Sequence, residues 1–425
     1  MPNDHEPDPQ THPLRRSPLL SAALLGATGF IALLALAMFL PIPALDYSLM
    51  LGTWGLAATI LIAAMLLVSI LALRKHPSHA RRLAAALAAA SLVATGVVAS
   101  AQLRQAQQLG ASINWWQASG IGQWGSLPDE EPTFMEDAAS GQKLQAGVWL
   151  PHDPATGRKL SAQQVQVAHP DGVPVVVLLH GGGWHTGNRR NPMTKGQATW
   201  LAQQGYLAIA LDYPLSLTNL PTWQLAESRS ALGLAWVGRE AANWGGDVKR
   251  LALVGDSSGG HLALELAARQ VLGTMEEICP EPVPQIRALS LTYPVADPVG
   301  FHDNSDLIMA PYVSWRAAIY VGGSPTQQPE RFAEISPINK VHELQRRGLG
   351  AQLPPVLMVH GERDHVVPVD GTQRLHQALI DAGARSQLVE IPYADHVFDL
   401  NPGSVPSQLW RHLTIELLNR SGMGT

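Results

Sequence analysis

The sequence predicts an α/β fold, a mostly parallel sheet flanked by helices, preceded by an all-α region of three transmembrane helices. Three observations carry this expectation. Three long, nearly uncharged apolar stretches fill the first hundred residues. From about Gln142 short apolar runs alternate with stretches of helical period. The segment Leu253-Val-Gly-Asp-Ser-Ser-Gly-Gly260 joins such a run to such a stretch.

The apolar stretches lie near 18–40, 48–73 and 83–101, each close to the about 20 residues that cross a bilayer as helix. The third is rich in alanine, so it lies near the threshold for insertion. Arg15 and Arg16 precede the first, and Arg74, Lys75, Arg81 and Arg82 fill the second loop, while Pro41 to Asp46 offers no Lys or Arg. The positive-inside rule then places the N-terminus and second loop in the cytoplasm. Three spans put the catalytic part outside the membrane, expected to be a bacterial cytoplasmic membrane; two would leave it inside. A cleaved signal peptide is disfavoured by the long polar lead and by the second span close behind. Residues 1–17, rich in Pro, Asp and His without an apolar period, read as a disordered tail. Trp115, Trp116 and Trp124 suit either the headgroup level or the surface of the soluble part.

The expected division is therefore tail 1–17, membrane region 18–103, linker 104–141 and catalytic domain 142–425. Strands are expected at 173–179, 207–211, 251–254, 288–292, 355–359 and 387–391. Helices are expected at 197–204, 224–242, 261–271, 371–382 and 407–418. Residues 297–350 break the alternation with Pro, Tyr and Trp and suggest a cap over the site. The net charge of −5, without a basic run away from the membrane flanks, argues against a nucleic-acid partner. Cys279 is the only cysteine, which excludes an internal disulfide and a cysteine-based metal site. No cofactor or metal is implied, and protein partners are not legible.

In Gly255-Asp-Ser-Ser-Gly259 the serine would occupy a sharp turn between a buried strand and a helix, crowded enough to need small neighbours. Ser257 is the candidate nucleophile. A serine hydroxyl needs a base within hydrogen-bond reach and an acid to orient that base. His396, in Tyr-Ala-Asp-His-Val-Phe after one strand, and Asp364, in Val-His-Gly-Glu-Arg-Asp after another, fill those roles. Asp395, His365, Asp370 and Asp297 are the rivals by position. His180-Gly-Gly-Gly-Trp184 ends a further strand, and its glycines let backbone amides reach a developing oxyanion. The expected donors are the amides of Gly181, Gly182 and Ser258. His180 reads as a structural hydrogen-bonding residue, and Trp184 and Tyr213 as core packing.

At these residues the chain resembles the α/β-hydrolase superfamily, in its esterase/lipase branch with a His-Gly-Gly-Gly loop, as in hormone-sensitive-lipase-like and feruloyl-esterase-like carboxylesterases. The resemblance runs from near Gln142 to Arg420. It includes Leu211-Asp-Tyr-Pro-Leu-Ser216 and Trp244-Gly-Gly-Asp-Val-Lys-Arg250, with Pro214 in place of the usual arginine and Ser258 in place of the usual alanine. With its anchor, the chain is also similar to isoprenylcysteine methylesterase-like proteins. The resemblance implies a membrane-anchored carboxylic ester hydrolase that acts on a small-molecule or lipid ester through an acyl-enzyme. A serine peptidase of the same fold and a catalytically inactive membrane-tethered binding module are the alternatives.

Overall fold

The computed structural model describes residues 18–39, 53–120 and 124–425. The expected tail 1–17 and the loop Pro41 to Asp46 lie outside these residues. The first three helices are α1 (Pro18–Ala37), α2 (Gly55–Lys75) and α3 (His79–Gln108), all long and apolar enough to cross a membrane. Leu19, Phe30, Ile60, Leu61 and Val93 are more than half exposed on their outer faces, a pattern suited to lipid rather than water. Inward, α3 presents Ala84, Ala88, Ser91, Ala94 and Ala99, small side chains that let helix backbones approach closely. The alanine-rich third stretch is thus the packing partner of the other two. It also runs beyond the expected end at 101, because Gln102 and Gln105 find hydrogen-bond acceptors in the domain that follows.

A short helix α4 (Trp115–Ala118) leads to the sheet, whose strands are β1 (Thr133–Asp137), β2 (Gln142–Trp149), β3 (Val173–Leu179), β4 (Leu207–Leu211), β5 (Gly246–Asp256), β6 (Ile286–Thr292), β7 (Val356–Gly361) and β8 (Ser386–Ile391). Their spatial order is β1-β2-β4-β3-β5-β6-β7-β8. β1 and β2 are antiparallel; every pairing from β4 to β8 is parallel. The six strands expected are present. The first two were not anticipated, so the sheet begins inside the stretch expected to be linker. β1 has one buried residue in five, too little apolar pattern to signal a strand, and it exists by pairing with β2. β5 also starts earlier than expected, because Gly246 and Asp247 pair with Val173 and Pro174 although their side chains are not apolar.

The helices of this region are α5 (Ala162–Ala168), α6 (Pro192–Gln203), α7 (Trp223–Glu240), α8 (Ser258–Leu272), α9 (Pro298–His302), α10 (Ala310–Val321), α11 (Pro329–Glu334), α12 (Pro337–Arg346), α13 (Val369–Asp381) and α14 (Val405–Arg420). Helices cover both faces of the sheet, so its central strands are apolar throughout. All seven residues of β3 are buried, and burial of each such Val or Leu contributes about 1.5–3 kcal/mol. One core, with Val175, Val177, Leu253 and Leu291, packs under α7, α8 and α13. The other, with Val176, Leu178, Val254 and Val359, packs under α6 and α14. Residues 297–350, where the alternation broke, fold as α9 to α12.

Candidate active site

β5 ends at Asp256 and α8 begins at Ser258, leaving Ser257 alone at the turn with φ 53° and ψ −118°. For a residue with a Cβ this is a strained conformation, held by bonds on both sides. The Ser257 amide donates to the Thr292 carbonyl, and the Ser257 carbonyl accepts from His261 and Val295. The turn tolerates no side chain at its ends: a Cβ on Gly259 would lie 2.0 Å from the Leu179 carbonyl oxygen, and one on Gly255 2.6 Å from that of Gly259. This is the crowding that the sequence pattern implied.

Asp364 follows β7 and His396 follows β8, and the two meet with His396 Nδ1 2.7 Å from Asp364 Oδ2. The other Asp364 oxygen accepts the amides of Val366 and Val367 at 2.9 and 2.8 Å, and His360 Nε2 lies 3.2 Å from Oδ2. Burial opposes ionisation of Asp364, but the imidazoles of His396 and His360 and these bonds hold its carboxyl well below the usual range. Burial likewise opposes charge on His396, and Asp364, with Asp395 and Asp256, more than offsets it, so the imidazole titrates above its ordinary 6.5. The rival acids are engaged elsewhere. Asp395 accepts from the His365 amide and lies 2.9 Å from His365 Nδ1; Asp297 caps α9 and meets Arg374, as does Asp370.

The glycine loop after β3 departs from expectation at one residue. The Gly181 amide donates to Asp256 Oδ2 at 2.8 Å, so it is committed to that carboxylate and not directed at an oxyanion. Gly182 and Gly183 line the same cavity as Ser257, and the Gly182 carbonyl accepts from Arg316 Nη1. His180 stacks on Tyr213 at 4.3 Å, and burial lowers its pKa, consistent with a neutral structural imidazole. The Tyr213 hydroxyl donates to the His180 carbonyl at 2.8 Å and lies 3.2 Å from Ser258 Oγ. Ser258 thus joins the turn at Ser257 to the glycine loop. Trp184 is fully buried and stacks on Tyr320 at 4.2 Å, as core packing requires.

Ser257, His396, Gly182 and Gly183 converge on one cavity of about 520 Å³. Its remaining wall includes Asp256, Tyr293, Phe301, Met309, Tyr312 and Arg316, which sequence reasoning did not single out. Tyr293 lies with its ring 4.3 Å from that of His396 and its hydroxyl donates to Asp399 at 2.5 Å. Arg316 and Tyr312 come from α10, within the region expected to be a cap. An isolated Arg or Tyr on a helix carries no local signal; only the crossing of α10 over the sheet edge reveals it. Asp256 was in plain view beside Ser257, but its bond to a residue 75 positions away was not. Among the described residues no cluster of His, Cys, Asp and Glu is placed to hold a metal ion.

Comparison with known proteins agrees with this fold. Esterase LipQ of Mycobacterium tuberculosis is 26% identical over 59% of this chain and 61% of its own length. Isoprenylcysteine alpha-carbonyl methylesterase ICME of Arabidopsis thaliana is 29% identical over 51% of this chain and 48% of its own. The chain therefore spans about half to three-fifths of the length of these curated relatives. Esterase 2 of Thermogutta terrifontis, solved as its sarin adduct, superposes with a TM-score of 0.52 at 23% identity, covering 71% of this chain and 98% of the other. That likeness shows a shared α/β-hydrolase fold. The BD-FAE family model matches residues 165–379, from α5 through β7 and into α13 and so across the nucleophile turn, the glycine loop and Asp364. With half of its length matched, the chain belongs to the BD-FAE family.

Proposed function

We propose that this chain is a membrane-anchored serine carboxylic ester hydrolase. The observation that carries the reading is the 2.7 Å contact of His396 Nδ1 with Asp364, in a cavity shared by His396 and Ser257. Ser257 Oγ attacks the ester carbonyl carbon while His396 Nε2 takes its proton. The resulting oxyanion is held by the amides of Gly182, Gly183 and Ser258. The carbon–alkoxy bond then breaks, His396 returns the proton to the departing alcohol, and an acyl-Ser257 remains. A water, deprotonated by His396, repeats the attack and releases the carboxylic acid. Asp364 keeps Nδ1 protonated and steadies the imidazolium. Naming of several relatives as esterases supports this class of reaction.

The anchor is α1 to α3, the first and third running outward from a cytoplasmic N-terminus, with the catalytic domain beyond the membrane and α9 to α12 capping its cavity. The charge pattern of the loops supports this topology. The test is hydrolysis of p-nitrophenyl acetate by the purified full chain beside Ser257→Ala, with labelling by a fluorophosphonate. The reading expects turnover and labelling only with Ser257 present. A folded wild-type protein that neither turns over the ester nor takes the label would overturn it. A reporter fused after residue 110 checks the side of the membrane.

A further inference from the structure

The direction in which the sheet points relative to the membrane helices is set by two hydrogen bonds. Gln102 of α3 donates to the Pro392 carbonyl, and Gln105, one turn further on, donates to Glu390. As α3 advances, its partners recede along β8, so β8 runs antiparallel to α3. The C-terminal edge of the parallel sheet therefore faces the helix ends, and that edge carries Ser257, Asp364 and His396. Gln102 lies about 35 Å along α3 from His79, just past the about 30 Å of a hydrocarbon core.

Two further sets of contacts bring the cavity mouth to the same level. Next to Asp364, Arg363 Nη1 donates to the Met38 carbonyl at the end of α1 at 2.9 Å, and Tyr393, three residues before His396, meets Phe39 at 5.4 Å. On the other side, Leu400 lines the cavity, and Gly403 just after it packs against Gln117. Gly120 in turn rests on Ala57 and Trp54 at the start of α2. Exposed apolar side chains flank this cavity on the segment after α9 and on α10, which line it through Phe301, Met309, Tyr312 and Val313. Leu307 is 74% exposed, with Ile308 at 47%, Trp315 at 42% and Leu400 at 37%. Leu307 is within about 11 Å of Asn304, whose side chain donates to the His365 carbonyl. Large apolar side chains grouped at a rim are costly in water and suit a lipid surface.

We propose that the catalytic cavity opens onto the bilayer surface, that Leu307, Ile308 and Trp315 dip into it, and that the ester taken is an amphiphile resident in that bilayer. The proposal rests on the esterase reading and on the membrane assignment of α1 to α3. The bilayer is the occupant of the rim because Arg363 and Tyr393, next to Asp364 and close to His396, touch the end of α1. The substrate's polar ester carbonyl reaches Ser257 at the headgroup level while its apolar chain need not leave the lipid.

The experiment uses the full chain in phosphatidylcholine vesicles with two esters: p-nitrophenyl acetate from the water, and 4-methylumbelliferyl oleate dissolved in the vesicles. Leu307→Asp/Ile308→Asp is expected to keep acetate turnover within about twofold and to lose tenfold or more of oleate turnover. An NBD fluorophore on Leu307→Cys, in a Cys279→Ala background, should be quenched by spin-labelled phosphatidylcholine. If the variant cleaves both esters as the wild type does, or the fluorophore is not quenched, the proposal is overturned. Should the double variant lose both activities through misfolding, the fluorophore decides. A wild type inactive on both esters instead sinks the esterase reading.

Discussion

The Gly181 amide donates to the Asp256 carboxylate at 2.8 Å, so the residue before Ser257 is tied to the loop expected to hold the oxyanion. Asp256 is fully buried. Burial, reinforced by the nearby Asp399, pushes its pKa up to about 7 despite the Gly181 bond. Its folded pKa is thus above the unfolded one, and the stability associated with its proton is present below about pH 4 and lost as pH rises through 7. Wild-type stability should fall relative to Asp256→Asn across that window, approaching about 1.4 kcal/mol per pH unit. Urea unfolding of the two proteins at a series of pH values measures the difference.

Removal of the proposed nucleophile or base should cost most of the activity. Ser257→Ala and His396→Ala are each expected to lower kcat on the order of 10⁶-fold, and Asp364→Asn on the order of 10⁴-fold, with KM little changed. Combining any two should add little to the larger loss, because the three act as one unit. Steady-state kinetics with p-nitrophenyl esters read all of these. Additive losses would show that the groups do not work together.

The pH dependence follows from His396. As the proposed base it works neutral, and Asp364, with Asp395 and Asp256, outweighs burial and raises its pKa above 6.5. Therefore kcat/KM should rise with pH with its midpoint above 6.5, and Asp364→Asn should move that midpoint down, since burial is then opposed only by the more distant charges of Asp395 and Asp256. A pH–rate profile of both proteins checks the sign.

The glycines of the turn should be intolerant for a steric reason. Gly259→Ala places its Cβ 2.0 Å from the Leu179 carbonyl oxygen, so either β3 or α8 must move. We expect little folded protein, read by circular dichroism. Tyr213→Phe is milder: it leaves the His180 carbonyl without its side-chain donor, at a cost of about 1–3 kcal/mol, seen as a lower midpoint in urea.

The loop amides offer a sharper contrast. Displacing the Gly182 backbone by Gly182→Ala should lower kcat by a factor of about 10²–10³ if its amide holds the oxyanion. Its φ of 133° and a Cβ only 1.9 Å from the Thr186 carbonyl oxygen make the loop shift. Fluorophosphonate labelling should slow as well, because the phosphoryl oxygen takes the same amides during attack; labelling at the wild-type rate would count against the oxyanion role.

The sequence by itself determined the local features. Apolar runs marked six strands because strands buried on both faces have no polar positions, and three uncharged stretches marked the long helices. It also placed Ser257, Asp364 and His396 at strand ends, since each follows an apolar run and the chemistry needs those residue types in that order. The tertiary structure decided what depends on partners distant in sequence. β1 forms only by pairing with β2, Asp364 differs from Asp395 only in which histidine it faces, and Gly181 differs from Gly182 only because Asp256 stands beside it. The placement of β8 against α3 rests likewise on Gln102 and Gln105 reaching residues nearly three hundred positions away, a relationship that no local periodicity can encode.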